Sequence, residues 1–201
     1  MALPAEKARY TFADCLTWDE NESIEIINGE AFMMATPSRI HQKISGELFR
    51  QLANYLEGKK CEVYSAPFGV RLFEQDGDRP EDVDTVVEPD ISVVCDRSKL
   101  DKHGCKGAPD LIVEILSPSS LRHDRLVKLN LYQRAGVREY WIADPENRSV
   151  MVFLPDSSGS FRKIALAALF AAGAAFFCLL TNFHRIVLNL ELAIQGFAVV
   201  G

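Results

Sequence analysis

Glu88-Pro89-Asp90-Ile91-Ser92-Val93-Val94-Cys95 and Leu111-Ile112-Val113-Glu114-Ile115-Leu116 are the two stretches on which the reading of the fold turns. Both are short, nearly continuous runs of β-branched and apolar residues, the pattern of strands covered on both faces. Each carries an acid, Asp90 at the mouth of the first run and Glu114 inside the second. A buried carboxylate is costly unless a cation or a donor compensates it. If the second run is a central strand, Glu114 needs a partner, and a divalent metal is a natural one. Mg2+ is usually held by one or two carboxylates together with waters and phosphate oxygens. Asp90, on a neighbouring strand, can approach Glu114 laterally. Asp110 repeats the Pro-Asp pair, but it lies four residues from Glu114, about 13 Å along one strand. That is too far to share an ion, so Asp110 is assigned a structural or capping role.

Other elements follow outward from this pair. Thr11 to Glu20 reads as a short helix with Thr11 as N-cap. Ser23–Ile27 and Glu30–Met34 flank Asn28-Gly29, a strong hairpin signal because both turn residues must take positive φ. Ile44, Leu48, Leu52 and Leu56 recur every four residues, predicting a helix over 41–56 that ends at Gly58. Residues 61–73 read as one strand with a bend at Pro67 or Gly69, and residues 74–88 as a polar loop. Ser119 or Ser120 caps a helix running to Ala135, with Gly136 in the place of a C-terminal glycine. Strands are expected at 139–143 and 149–154. The central order α-β-β-β-α-β implies an α/β (α+β) fold with a mixed central sheet flanked by helices. With 201 residues, one domain spanning 1–201 is expected: an N-terminal helix-hairpin extension at 10–40, a core at 41–160 and an atypical apolar segment at 161–201.

Charge is unevenly spread. Glu74 to Asp90 holds eight acids and the single base Arg79, whereas Arg122, Arg125, Lys128, Arg134 and Arg138 face only Asp124 between Ser119 and Arg138. An acidic cluster beside a basic helix suits a metal site that must accept phosphate, although solvated surface is the plain alternative. The net charge of -6 argues against holding nucleic acid by bulk charge. The five cysteines are scattered and never form C-x-x-C, so reduced thiols in a cytoplasmic protein are expected. The N-terminus shows no apolar signal run.

Several separated motifs then resemble one family. They are Glu88-Pro89-Asp90-Ile91-Ser92-Val93-Val94; Pro109-Asp110-Leu111-Ile112-Val113-Glu114-Ile115-Leu116-Ser117-Pro118-Ser119; Asp124-x-x-x-Lys128-x-x-x-Tyr132; Ala135-Gly136-Val137-x-Glu139-Tyr140-Trp141; and Asp144-Pro145. With Ile27-Asn28-Gly29-Glu30 and Pro37-Ser38-x-x-His41 upstream, residues 10 to 160 resemble the Uma2 (DUF820) family of restriction-endonuclease-like proteins. The resemblance implies an αβββαβ core and a PD-(D/E)xK-type site. Asp90 and Glu114 would be its metal ligands, with the carbonyl of Ile115 completing the shell. The usual lysine position, two after the second acid, is Leu116 here, and the family pattern offers Lys128 as a migrated replacement. Leu116 can neither stabilise developing negative charge nor orient water.

The implied protein is a Mg2+- or Mn2+-dependent nuclease acting on DNA, with Asp90, Glu114 and Lys128 as the catalytic set. Arg122, Arg125, Arg134 and Arg138 would contact phosphates, and Glu30, His41 and Asp124 would edge the site. Plainer readings stay open. Asp124 and Lys128 form an i, i+4 pair, His41 opens a helix, Glu30 sits beside a turn, and Tyr132, Tyr140 and Trp141 suit a core. The alternative function is a catalytically inactive nucleic-acid-binding or protein-interaction module of the same fold, for which Leu116 is the best support. Ile164 to Leu180 has no polar side chain over 17 residues, at the lower limit for a membrane span of ~20. A buried element at a homodimer interface is preferred over a membrane anchor, and Ile186 to Leu192 reads again as a strand.

Overall fold

A computed structural model describes residues 8–19, 23–117 and 123–168, with backbone alone at 123–125 and 165–168. The two apolar runs lie side by side in it. β6 (Ile91–Val94) pairs antiparallel with β9 (Leu111–Ile115), which pairs in parallel with β10 (Glu139–Asp144). β11 (Ser149–Pro155) and β12 (Phe161–Ala168) extend the sheet beyond β10, and β3 (Glu62–Ser65) closes the other edge, giving the order β12-β11-β10-β9-β6-β3. The apolar residues of both runs are covered on each face, as their composition requires: Ile91, Val94, Ile112 and Val113 have no exposed surface.

One face is covered by α2 (Arg39–Leu56). Its Ile44, Leu48, Leu52 and Leu56 form one stripe that packs on Ile91, Val93, Leu111, Val113 and Ile115. The helix begins two residues earlier than the spacing predicts, because the Ser38 side chain accepts the His41 N–H at 3.2 Å. The opposite face carries α3 (His123–Ala135), whose Leu131 and Tyr132 pack with Val94, Ile112 and Ile142. Gly136 follows α3 at φ 82°, as its place after the helix predicts.

A second six-stranded sheet, which the sequence reading does not anticipate, joins this face. It comprises β1 (Ile24–Ile27), β2 (Glu30–Met33), β4 (Val70–Arg71), β5 (Val86–Val87), β7 (Leu100–Asp101) and β8 (Gly104–Lys106), in the order β2-β1-β5-β4-β8-β7. Ile27, Val70, Leu72, Val87 and Cys105 from this layer share one core with α3 and the first sheet. The predicted hairpin is present: Asn28 and Gly29 take φ 52° and 87°, and Ile27 faces Glu30 across the turn. The expected single strand over 61–73 is two strands, β3 and β4, in different sheets. Between them Gly69 passes so close to Gly104 that a Cβ on Gly104 would lie 2.0 Å from the Gly69 carbonyl oxygen. The expected loop at 74–88 contains β5, and the expected helix at 11–20 is the single turn α1 (Phe12–Cys15).

The reading of the cysteines is corrected at one pair. Cys61 and Cys95 face each other one step beyond the Glu62–Val94 pairing and are joined in a disulfide. Scattered positions in sequence hide this because register, not spacing, brings them together. Cys15 and Cys105 are free thiols. Of the apolar C-terminal segment, residues 164–168 lie in β12. The rest of it, the strand expected at 186–192 and the proposed Ser119 or Ser120 cap lie outside the described residues. Among the described residues no helix is long and apolar enough to cross a membrane.

Glu139 is buried on β10 with the Trp141 indole N–H donating to it at 2.6 Å. Burial pushes its pKa up to about 7, against the opposing hydrogen bond, whereas an unfolded glutamate titrates near ~4.3. The folded form therefore binds the proton more tightly. This contributes stability that is fully present below about pH 4 and lost as pH rises through the folded value. Glu139→Gln is expected to exceed the wild type in urea-denaturation stability by on the order of 2 kcal/mol at pH 8 and to match it near pH 4. A less stable variant at pH 8 would contradict the assignment.

Candidate functional site

The register of β6 and β9 sets the geometry. Ile91 faces Val113, so one step further Asp90 faces Glu114. Directly opposed residues on antiparallel strands have Cβ atoms about 5 Å apart on one face. The two side chains are then drawn to different partners. Asp90 Oδ2 accepts the Ile115 N–H at 2.7 Å, and Oδ1 stands 3.2 Å from His41 Nε2 in the first turn of α2. Glu114 Oε1 accepts the Tyr132 hydroxyl at 2.5 Å and the Lys128 ammonium at 3.0 Å, both from α3. Lys128 and Tyr132, four apart, share one face of the helix, which is why one carboxylate can take both.

Lys128 has a second partner that the sequence reading missed. Its Nζ donates to Glu25 Oε1 at 2.9 Å, and that oxygen also accepts the Glu88 backbone N–H at 3.0 Å. Glu25 lies in β1 and is only 4% exposed. A signal was available: Ile24, Ile26 and Ile27 make β1 apolar on both faces, so an acid inside it is buried for the reason Glu114 is.

The electrostatics reflect two acids on one ammonium, with Asp90 acting on Glu114 from beside them. Burial pushes Glu114 up to about 7; Lys128 opposes the shift, and Asp90 and Glu25 reinforce it. Burial by itself would weaken the hold of Lys128 on its proton, but Glu114 and Glu25 outweigh that and raise its pKa. The hydrogen bond to Asp90 raises His41 against the opposing effect of burial, with the Ile115 backbone as a further acceptor. His41 Nδ1 is buried and has no partner among the described residues. Burial raises Glu88 as well, reinforced by Glu25.

The expected site residues separate into two groups. Asp90, Glu114, Ile115, Lys128 and His41 are brought together. Glu30 is exposed at the hairpin turn, and Arg134 and Arg138 are exposed, the first over the ring of Phe73 and the second 3.3 Å from Asp110. Arg122 and the side chains of Asp124 and Arg125 lie outside the described residues. Asp110 takes the structural role expected of it, accepting the Cys95 N–H at 2.8 Å. Tyr132, Tyr140 and Trp141 are buried in the core, and Leu116 packs at its edge.

The carboxylates of Asp90 and Glu114 and the backbone carbonyl of Ile115 are oxygen donors of the kind a hard divalent ion that keeps waters would take. Among the described residues no three His, Cys, Asp or Glu side chains group closely enough to hold a metal by themselves. Waters and a backbone carbonyl would therefore have to complete the coordination.

Comparison with known proteins assigns the family. A model of the Uma2 family, described as "Putative restriction endonuclease", matches residues 12–169. The chain belongs to the Uma2 family. "Uncharacterized protein slr1290" from Synechocystis sp. is 30% identical over 119 residues, and the match spans 58% of this chain and 58% of that relative. A crystal structure from Anabaena variabilis, described as "a putative nuclease belonging to DUF820", aligns with a TM-score of 0.61 at 20% identity, covering 79% of this chain and 84% of that one. At that identity the likeness is one of fold. It agrees with the α+β class and mixed sheet read from the sequence, and the Uma2 match extends over nearly the stretch whose motifs carried the resemblance.

Lys128→Met leaves Glu25 and Glu114 buried beside each other without their shared cation. The Glu114 carboxyl, already raised to about 7, loses the ammonium that opposed the shift and rises further, so stability falls as pH rises through it. The expected loss is about 3 kcal/mol at pH 8, shrinking at pH 5, read from urea midpoints. Equal midpoints at pH 8 would contradict a stabilising ion pair.

Proposed function

We propose that this Uma2 protein is a divalent-metal-dependent nuclease that hydrolyses phosphodiester bonds in DNA. What supports it most is the position of Asp90, one residue beyond the Ile91–Val113 pairing on the side of Glu114, with the Lys128 ammonium on the second carboxylate. Asp90, Glu114 and the Ile115 carbonyl would hold Mg2+ or Mn2+. When bound, such an ion lowers the pKa of water and neutralises charge on the phosphate.

The chain's own residues supply the rest. Lys128 stabilises the negative charge that develops on the phosphoryl oxygens, the task the absent lysine at position 116 would otherwise perform. Its pKa, raised by the two facing carboxylates, keeps it charged through the neutral range. His41, through Nε2, orients Asp90. Tyr132 fixes the rotamer of Glu114. Arg134 and Arg138, together with Arg122 and Arg125, would contact the DNA backbone, and binding would weaken with added salt. A homodimer belongs to the same reading.

Mg2+-dependent cleavage of plasmid DNA is expected from the purified chain. Glu114→Ala and Asp90→Ala should each lower it by about 100-fold or more. Cleavage that is unchanged in a folded Glu114→Ala protein overturns the assignment. A second reading, an inactive binding module of the same fold, is favoured by Leu116 and by the engagement of Asp90 with Ile115 N–H and His41. Calorimetry separates the two readings: no heat and no thermal shift at millimolar Mg2+ or Mn2+ selects the inactive module.

A further inference from the structure

Glu25 is a buried carboxylate that the catalytic set above does not use. It reaches the site from the second sheet, 103 residues in sequence from Lys128. Two features hold it firmly. β1 is paired on both sides, with Glu25 opposite Phe32 of β2 and Ile26 opposite Val86 of β5. Its Oε1 also accepts the Glu88 N–H, so the backbone of a neighbouring segment fixes the same oxygen that takes the ammonium.

We propose that Glu25 is a positioning residue that holds the Lys128 ammonium in place once a metal ion engages Glu114. This rests on reading Asp90 and Glu114 as the metal site. In the structure Glu114 Oε1 accepts both Lys128 and Tyr132. A cation on Glu114 draws electron density from that oxygen and repels the ammonium beside it. A lysine side chain with several rotatable bonds would then leave for water. The second anchor at 2.9 Å keeps it. A structural ion pair that only ties the two sheets together would be indifferent to the metal, whereas the positioning role of Glu25 appears when metal is present.

The test uses the full chain as wild type, Glu25→Gln and Glu25→Asp. Competitive acetylation at Lys128 is read by mass spectrometry against the exposed Lys43, with and without millimolar Mg2+. In the wild type, Lys128 should be protected in both conditions. In Glu25→Gln, protection should persist without Mg2+ and fall by about tenfold with it, the loss of one charged anchor. Mg2+ affinity by calorimetry should stay within about threefold, because the ligands are untouched, while single-turnover cleavage slows by about 10- to 100-fold with little change in KM. Glu25→Asp, which keeps the charge on a shorter arm, should fall between.

Labelling of Glu25→Gln that is the same with and without Mg2+, while wild type binds Mg2+ and cleaves, overturns the role of Glu25 alone. A wild type that binds no Mg2+ overturns the nuclease reading and this role with it. If Glu25→Gln does not fold, Glu25→Asp decides. A Mg2+-dependent loss of protection upholds the role, and full protection under Mg2+ together with wild-type cleavage overturns it.

Discussion

A lysine held between two buried carboxylates organises this molecule. Lys128 comes from α3, Glu114 from the centre of one sheet and Glu25 from the other, and the ammonium joins all three. Each of the three charges is offset by the others, which lowers the cost of several kcal/mol that an isolated charge buried in an apolar sheet would carry. The orientation of α3 follows from this bond as much as from packing. Its apolar residues are spread around the helix, and Leu126 remains 66% exposed. The ionic contact, with Tyr132 one turn later on the same oxygen, anchors the inward face alongside Leu131, which packs in the core.

The same arrangement leaves the site short of positive charge. Glu25, Glu114 and Asp90 share one ammonium and one histidine, and burial, reinforced by Asp90 and Glu25 and opposed by Lys128, pushes the Glu114 carboxyl up to about 7. Lys128 partly offsets this concentration of negative charge.

Much of this was legible in the sequence where a physical rule has little competition. The β6 and β9 runs, the Asn28-Gly29 hairpin and the four-residue spacing of α2 each specify one structure. The opposition of Asp90 and Glu114 follows once those strands pair in register. What was not legible depends on partners distant in the chain. β4, β5, β7 and β8 are two or three residues long, and no periodicity can be read from so few. The bond between Cys61 and Cys95 requires the register of β3 against β6. The place of Glu25 beside Lys128 depends on β1 pairing with β5, a strand too short to be read from sequence, so the hairpin alone reads as an extension. The buried Arg71, held by Glu74 and Asp101, sits in the same unanticipated sheet.

As proposed, oxygens of Asp90 and Glu114 share one divalent ion. Crystals soaked in Mn2+ and measured at an anomalous wavelength test it most directly. A single anomalous peak is expected between the two carboxylates beside the Ile115 carbonyl, with Lys128 still on Glu25. A fully soaked crystal with no peak there, or with the ion held elsewhere on the chain, would contradict it.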